Sequence, residues 1–225
     1  MGMAGSPGAK DCVIDAGPVM LGAMNRTAVV LASYGAGSIP FSNLASRRTR
    51  GVDLREVGSG TVSGTALYRV AGFTPLAVAG VLDVSKGAIG PLLSGRHRPL
   101  LAAVAGGAAV AGHNWSPWLR GAGGRGFAPA LGSLLANAPT GVPVLAAGLI
   151  GGRLAHETGL GAFAALAALV PVLARTNGRR GAVVGACIAV PMAAKRLAGN
   201  RRLAFPARRG AYLRRLLLDN DGEAA

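Results

Sequence analysis

Glycine and hydroxyl side chains are concentrated in the stretch from Gly51 to Arg69. Gly58 and Gly60 loosen the backbone on either side of Ser59, so that several N–H groups can turn toward one point and form an anion-binding nest. Ser59 and Thr61 add hydroxyl donors to the same turn. The pattern favours phosphate binding, and an ordinary flexible loop is the alternative.

Basic residues in the same stretch strengthen the phosphate interpretation. Arg55 and Arg69 carry planar guanidinium groups that stay charged and match phosphate oxygens in pairs. A helix is expected to begin near Thr65, and its N-terminus would add favourable dipole interactions with an anion.

A second glycine-rich loop, residues 121–126, reads Gly-Ala-Gly-Gly-Arg-Gly. Backbone N–H groups at Gly123, Gly124 and Gly126 could surround a small anionic substrate, with Arg125 as its counter-charge. The alternative is that these glycines are structural and serve the junction with the next helix.

Charged residues also occur inside apolar segments, where they are costly and usually face a protein interior or a cavity. Asp83 and Lys86 are three residues apart and therefore share one helix face. They either neutralise each other, or Lys86 reaches a substrate phosphate. His113 is either an acid–base group or a helix cap at headgroup level. The two cysteines, Cys12 and Cys187, show no disulfide or metal-ligand spacing, and no metal or cofactor is predicted.

The composition indicates that lipid is the solvent of this chain. Of its 225 residues, 51% are hydrophobic and only 15% are charged, whereas soluble domains carry about 25% charged residues. The 36 glycines fit membrane helices, which use them for close packing. The high hydrophobicity argues against a disordered chain.

The net charge of +15 has two interpretations, nucleic-acid binding or a membrane surface. Basic residues here lie between apolar segments instead of lining one amphipathic face, which is the pattern of positive-inside loops. We therefore predict contact with membrane lipids and no nucleic acid.

The apolar segments predict an all-α, polytopic membrane bundle of about seven short transmembrane helices. The segment at 127–152 contains Pro139 and Gly141, which would end a helix, and it counts as two short helices. The segments are 27–46, 71–93, 99–118, 127–152, 158–174 and 181–194.

The distribution of Lys and Arg predicts an outside N-terminus and a cytoplasmic C-terminus. Sixteen of these residues fall in the predicted cytoplasmic stretches and seven outside. The protein is accordingly placed in the cell (inner or plasma) membrane with its active site facing the cytoplasm. The cytoplasmic stretches are 47–70, 119–126, 153–157 and 195–225.

Three regions follow from this organisation. Residues 1–25 are either a disordered extension or the product of a wrongly assigned start. Residues 26–198 form the transmembrane domain, and residues 199–225 form a basic cytoplasmic tail.

Several motifs in order resemble the bacterial acyl-phosphate:glycerol-3-phosphate acyltransferase family, from about Ala32 to Gly132 and more loosely to Leu197. The matching motifs are Gly37-Ser38-Ile39-Pro40, Val52-Asp53-Leu54-Arg55 with Gly58-Ser59-Gly60, Asp83 with Lys86-Gly87, and Gly112-His113 with Gly123-Gly124-Arg125-Gly126-Phe127-Ala128.

The chain departs from the family pattern at several places. Residues 61–66 replace an Asn-containing run, Arg125 replaces Lys, and Pro129 replaces Thr. When the third motif is aligned on Arg196-Leu197, Val190 and Ala193 stand where the family has His and Asn.

The resemblance implies a membrane acyltransferase of phospholipid synthesis. The primary hydroxyl of glycerol-3-phosphate would attack the carbonyl of an acyl phosphate, giving lysophosphatidate and phosphate. Ser59 and Arg69 would be critical for activity, residues 123–126 would bind glycerol-3-phosphate, and His113 or the acyl phosphate itself would accept the proton. The altered third motif leaves a second hypothesis, a catalytically degenerate member that binds lipid or protein, and a small transporter is a third.

Overall fold

The computed structural model describes residues 25–200 and 209–218. Within these residues the chain forms nine α-helices and no β-strand, and short 3-10 turns occur at Leu54–Glu56, Pro117–Leu119 and Pro139–Gly141. The predicted extension, residues 1–25, lies outside the described part except for Asn25. The helices are α1 (Arg26–Ser38), α2 (Phe41–Arg50), α3 (Gly64–Ala71), α4 (Phe73–Ser94), α5 (Pro99–Asn114), α6 (Phe127–Asn137), α7 (Val142–Leu154), α8 (Thr158–Ala198) and α9 (Arg209–Leu218).

The first apolar segment is interrupted, contrary to the single segment expected at 27–46. Helix α1 ends at Ser38, and α2 begins at Phe41. Pro40 explains the break, because a proline disfavours helical geometry at the residue before it and lacks an N–H donor. Ile39 is accordingly extended, with φ −63° and ψ 119°.

The break predicted within 127–152 is confirmed. Helix α6 ends at Asn137, the 3-10 turn Pro139–Gly141 follows, and α7 begins at Val142. The helix expected near Thr65 is also present, because α3 begins at Gly64 with Ser63 as its cap.

Helix α8 is a hairpin of two arms, residues 158–177 and 179–198, joined at Gly178. Gly178 has φ 61° and ψ −152°, a region that is open to glycine and closed to other residues. A Cβ at Gly181 would overlap the backbone oxygen of Leu173, and one at Gly185 would meet Val170. Residues eight and fifteen positions apart cannot touch along one straight helix, so the arms fold back on each other.

Helices that pack together approach closely at glycines. Gly37 of α1 lies against the backbone of Ala109 in α5, and Gly112 of α5 lies against the backbone of Tyr34 in α1. These two helices, α1 and α5, run in the same direction. The Ser116 hydroxyl, just beyond the end of α5, donates to Ser38 O at the end of α1 over 2.6 Å. Ser33 and Ala105, earlier in the two helices, both lie against Gly90 of α4. The shared direction places residues 51–63, which we call the first loop, at the same end of the bundle as the second loop (121–126).

The bundle has a buried apolar core and an apolar outer surface. Leu134, Leu169 and Ile188 are fully buried within the main core cluster. Phe73 and Val81, by contrast, are 71% and 67% exposed. Two helices, Phe73–Ser94 and Thr158–Ala198, are long and apolar enough to cross a membrane by length and composition.

Two short helices lie in stretches that the sequence assigned to cytoplasmic loops: nearly all of α3 falls within 47–70, and α9 falls within 195–225. Helix α2 begins in the predicted apolar segment 27–46 and ends in the stretch 47–70. Helix α9 packs against α8: the Arg215 Nη1 atom donates to Ala198 O over 3.0 Å, and Gly159 lies against the backbone of Leu218.

Candidate active site

One cavity of about 280 Å³ is lined by residues of the first loop, α3, α7 and α8. Arg125 of the second loop and Phe127, the first residue of α6, complete its wall. Ser59, Thr61 and Arg69 line it from the first loop and α3, and Arg125 lines it from the second loop. Arg196, near the end of α8, also lines this cavity. Residues predicted separately from two distant motifs therefore share one space.

The first loop presents Ser59 at the tip of a tight turn. Gly58 and Gly60 have φ angles of 55° and 71°, the left-handed region that favours glycine. The Gly60 N–H donates to Val57 O over 3.0 Å and closes the turn. The Ser59 Oγ atom is 3.0 Å from the Thr61 Oγ1 atom, so the two hydroxyls stand side by side at the cavity.

Helix α3 positions Arg69. The Ser63 hydroxyl accepts from the Ala66 N–H over 3.2 Å and caps the helix at its start. Thr65 and Ala66 of its first turn line the cavity, and Arg69 of its last turn reaches the same space. The Arg69 side chain is exposed, so its guanidinium group is accessible to an incoming anion.

Arg55, expected to bind phosphate, instead binds Asp53. Its Nη2 atom lies 2.7 Å from Asp53 Oδ2, and its Nε atom lies 3.1 Å from Oδ1. The side-chain hydrogen bond from Arg55 lowers the pKa of Asp53 to about 2. Arg47 adds a second contact to Asp53 at 3.2 Å. Arg55 is not among the cavity-lining residues, and this pairing fixes the base of the first loop.

In the second loop, Arg125 reaches the cavity while the neighbouring glycines pack behind it. A Cβ at Gly123 would overlap the backbone oxygen of His113, and one at Gly124 would overlap the His113 ring. Neither glycine lines the cavity. Gly126, with φ 80°, immediately precedes α6 and does not line the cavity either. The glycines thus let the loop lie close to α5, which directs Arg125 inward.

Hydrogen bonds join the two loops directly. The Val62 N–H donates to Gly123 O over 3.2 Å. Asn200, just after α8, donates from its Nδ2 atom to Gly60 O over 3.2 Å and to Gly123 O over 2.9 Å. The Arg125 Nη1 atom donates to Lys195 O over 3.0 Å, which ties the second loop to α8 as well.

Lys86 and His113 belong to a separate buried cluster around Asp83. The Lys86 Nζ atom lies 2.7 Å from Asp83 Oδ1 and 2.7 Å from Ile39 O. The His113 Nδ1 atom is 3.8 Å from Asp83 Oδ1, and Ser42 donates to Asp83 Oδ2 over 3.1 Å. Neither Lys86 nor His113 lines the cavity. Of the two alternatives for Lys86, this geometry favours mutual neutralisation with Asp83.

Sequence reasoning missed two residues of this region. Arg196 is 2% exposed, and its Nη2 atom donates to Gly159 O over 2.8 Å while the residue lines the cavity. Its signal was the Arg196-Leu197 pair, which served only to align the third motif. Asn200 had no local signal, because its partners lie 77 and 140 residues away in the chain.

The cavity suits an anion joined to an apolar chain. Arg69, Arg125 and Arg196 supply three guanidinium groups, and none of the described lining residues is acidic. Phe127, Leu149 and Ala162 form an apolar part of the wall. Among the described residues, no group of three His, Cys, Asp or Glu side chains could hold a metal ion. Fixed donors of this kind can bind phosphate oxygens and stabilise charge on a departing phosphate.

Comparison with protein families gives one match that covers most of the chain. The family described as "Glycerol-3-phosphate acyltransferase" matches residues 27–204.

Curated relatives agree with the family match. A "Glycerol-3-phosphate acyltransferase" of Myxococcus xanthus (strain DK1622) is 45% identical over 127 residues, which are 55% of this chain and 65% of that protein. A protein with the same description from Synechococcus sp. (strain CC9902) is 37% identical over 158 residues, covering 69% of this chain and 78% of that protein. The chain spans about half to two thirds of the length of the Myxococcus protein and of relatives from Dehalococcoides mccartyi.

Two solved structures share the fold. One is the glycerol 3-phosphate form of PlsY (YgiH), an integral membrane glycerol 3-phosphate acyltransferase, with a TM-score of 0.67 and 25% identity. The match covers 76% of this chain and 87% of that one. The second, the lysophosphatidic acid form, has a TM-score of 0.63 at 23% identity and supports the fold alone.

Proposed function

The chain belongs to the glycerol-3-phosphate acyltransferase family, as its motifs predicted, and on that premise we propose that it transfers an acyl group from an acyl phosphate to glycerol-3-phosphate. The products are lysophosphatidate and inorganic phosphate, and the reaction serves phospholipid synthesis. The observation that carries the proposal is the shared cavity, where Ser59, Arg69 and Arg125 meet.

The reaction brings two anionic substrates close together, and the arginines that line the cavity supply the positive charge that offsets their repulsion. Each substrate carries a phosphate, so without counter-charges the two would repel each other. Ser59 and Arg69 are assigned to the acyl phosphate, and Arg125 to glycerol-3-phosphate. Holding both in one orientation converts a bimolecular encounter into a reaction within one complex.

The chemical step is a substitution at the acyl carbonyl carbon. The primary hydroxyl oxygen of glycerol-3-phosphate forms the new ester bond, and the bond between the carbonyl carbon and the phosphate oxygen breaks. The phosphate leaves with the electron pair and takes up the hydroxyl proton, which balances the charge. We assign proton acceptance to this phosphate, because His113 lies in the cluster around Asp83 and not among the lining residues.

We also infer that the protein is a multi-pass protein of the cell membrane with its active site on the cytoplasmic side. Apolar residues such as Phe73 and Val81 face outward from the bundle, as lipid contact requires. The two arms of α8, together with α1, α4, α5, α6 and α7, would be the membrane-crossing segments. Basic residues 47–55 and 120–125 lie at the end that carries both loops, as the positive-inside rule expects of a cytoplasmic face.

The test is turnover by the purified protein with palmitoyl phosphate and glycerol-3-phosphate, following both phosphate and lysophosphatidate. We expect Ser59→Ala and Arg69→Ala to abolish product formation. Ser85→Ala and Arg179→Ala are matched controls, because both residues are exposed and neither lines the cavity. Equal rates in Ser59→Ala and wild type would contradict the assignment.

The same assay decides between the enzyme and a degenerate family member. That second candidate is favoured by Val190, which is 65% exposed and, with Ala193, replaces the polar pair of the third motif. A well-folded wild-type protein that binds glycerol-3-phosphate but forms no product would establish the degenerate member.

A further inference from the structure

The carboxamide of Asn200 contacts both loops that form the cavity. Its Nδ2 atom donates to Gly60 O over 3.2 Å and to Gly123 O over 2.9 Å, while its Oδ1 atom accepts from the Gly123 N–H over 3.3 Å. One short side chain therefore bonds to the turn next to Ser59 and to the residue two before Arg125. It spans the space between the groups assigned to the two substrates.

The chemistry of the partners fixes the orientation of this amide. Carbonyl oxygens can only accept, and a backbone N–H can only donate, so the nitrogen must face Gly60 O and Gly123 O. The reversed amide would set its oxygen against two carbonyl oxygens. Aspartate has the same shape but no donor, and it would place negative charge there instead. The three bonds thus discriminate between asparagine and its closest isostere.

The end of α8 holds Asn200 in place. Gly199 has φ 63° and ends the helix, and its N–H donates to Lys195 O over 2.9 Å. The Lys195 Nζ atom donates to Gly121 O over 3.1 Å, so the last turn of α8 and the second loop are linked twice. Asn200 then joins the end of α8 and the second loop to the first loop through its bond to Gly60 O.

We propose that Asn200 is a positioning residue that fixes the separation of the two substrate loops. This inference rests on the proposed acyl transfer, in which the hydroxyl of one substrate must meet the carbonyl of the other. When Asn200 is changed, each loop keeps the groups assigned to its own substrate, but the separation of the two loops is no longer fixed. The turnover number should therefore fall while the affinity for each substrate stays close to its original value.

The kinetic test compares Asn200→Ala and Asn200→Asp with wild type. We expect kcat to fall about 10- to 100-fold in both variants, the effect of displacing reacting groups by about 1 Å. KM for each substrate should stay within about threefold. Asn200→Gln keeps the amide and should recover part of the lost kcat. A rise in KM with unchanged kcat would overturn the proposal, because Asn200 would then act in binding.

A second measurement follows loop separation without any substrate. Spin labels replace the exposed residues Glu56 and Arg120, one near each loop, in a protein whose Cys12 and Cys187 are alanine. Asn200→Asp should widen the distance distribution. Asn137→Ala should not, because it removes a comparable bond from Asn137 Nδ2 to Ala102 O, 3.1 Å long, at the opposite end of the bundle.

The two measurements separate failure of this inference from failure of the proposed function. If wild type forms no product, the acyl transfer is wrong, and the distance measurement still decides whether Asn200 fixes the loops. An Asn200→Asp distribution identical to wild type overturns the inference. So does a widened distribution with kcat within twofold of wild type.

Discussion

At the residue scale, the partners of each basic side chain decide what it can do. Arg55 and Lys86 both matched family motifs, but each lies against a carboxylate at 2.7 Å. Arg69, Arg125 and Arg196 line a cavity whose described walls hold no carboxylate. Charge and motif position alone could not make this distinction, because Arg55 meets its partner only through the fold of one tight turn.

Substitution of Arg125 should affect glycerol-3-phosphate more than acyl phosphate. We expect Arg125→Gln to raise KM for glycerol-3-phosphate about 10- to 100-fold, because a charge-assisted hydrogen bond contributes about 1.5–3 kcal/mol. Arg125→Lys keeps the charge and should keep activity. Steady-state kinetics with each substrate varied in turn measure this. An unchanged KM for glycerol-3-phosphate in the glutamine variant would refute the assignment of the second loop.

Asp53 should make stability depend on pH in the acid range. Its pKa is about 2 in the folded protein, below the ordinary value of 3.8, so its contribution is complete above pH 4 and is lost as pH falls toward 2. We expect Asp53→Asn to lower the free energy of unfolding at pH 6 by about 1–2 kcal/mol, because solvent screens the partly exposed arginines.

Denaturant unfolding in detergent at pH 6 and pH 3 measures the effect of Asp53. The difference between wild type and Asp53→Asn should shrink at the lower pH. Glu56→Gln, which alters an exposed carboxylate of the same turn, is the control. A difference that is the same at both pH values would show that the ion pairs of Asp53 add nothing.

At the scale of elements, the sequence predicted helices well where a local signal marks their ends. Pro139 and Gly141 indicated the break between α6 and α7, and the turn at Gly178 falls in the gap between the predicted segments 158–174 and 181–194. The separation of α1 from α2 also had a local cause, Pro40, but continuous hydrophobicity concealed it.

The parts of the candidate site also differ in how clearly the local sequence marks them. Glycine spacing indicated both loops, because a left-handed turn leaves its mark within a few residues. Contacts between distant residues left no such mark. Arg196 reaches the cavity from α8, and Asn200 joins backbones that are far apart in the chain. Only the packing of antiparallel helices brings these residues to the loops.

The hairpin turn of α8 should tolerate no side chain at Gly178. Its φ of 61° with ψ −152° costs a non-glycine residue about 1–3 kcal/mol, so Gly178→Ala should lower the unfolding temperature in detergent. Gly80→Ala is the matched control. Gly80 lies inside α4, where a Cβ would have no atom within 4 Å, and alanine there should be neutral or gain up to about 1 kcal/mol.

If Gly178→Ala unfolds at the same temperature as wild type, the two arms of α8 are not joined by this turn. If Gly80→Ala lowers the unfolding temperature as much as Gly178→Ala does, the backbone angles of Gly178 are not the cause. A general effect of alanine on helices would then account for both variants.

At the scale of the whole molecule, antiparallel packing collects the chemistry at one end. Gly90 of α4 lies against Ser33 of α1, and Ser42 of α2 donates to Asp83 of α4, which sets α1 and α2 antiparallel to α4. Asn137 at the end of α6 donates to Ala102 O near the start of α5, and Gly126 just before α6 lies against Val110 near the end of α5, which sets α5 and α6 antiparallel as well. Because consecutive segments alternate in direction, α2, α5 and the second arm of α8 all end at the same end of the bundle. Ser59, Arg125 and Asn200 follow these three segments in the chain and therefore lie together.

This arrangement makes the predicted membrane orientation testable. Arg120 lies next to the second loop, and Arg179 follows the hairpin turn of α8 at the other end; both are exposed. We expect a single cysteine at position 120, in a background without Cys12 and Cys187, to react with a membrane-impermeant maleimide only in inside-out vesicles. A cysteine at position 179 should react only in right-side-out vesicles, because sixteen of the basic residues fall in the stretches predicted as cytoplasmic.

The control for access is a cysteine in place of Val81, which is exposed on α4 and should resist the reagent from both sides if lipid covers it. Labelling of positions 120 and 179 from the same side would mean that the bundle does not cross the bilayer as proposed. The reverse pattern would keep the crossing but place the cavity on the outer side, which would contradict the proposed cytoplasmic active site.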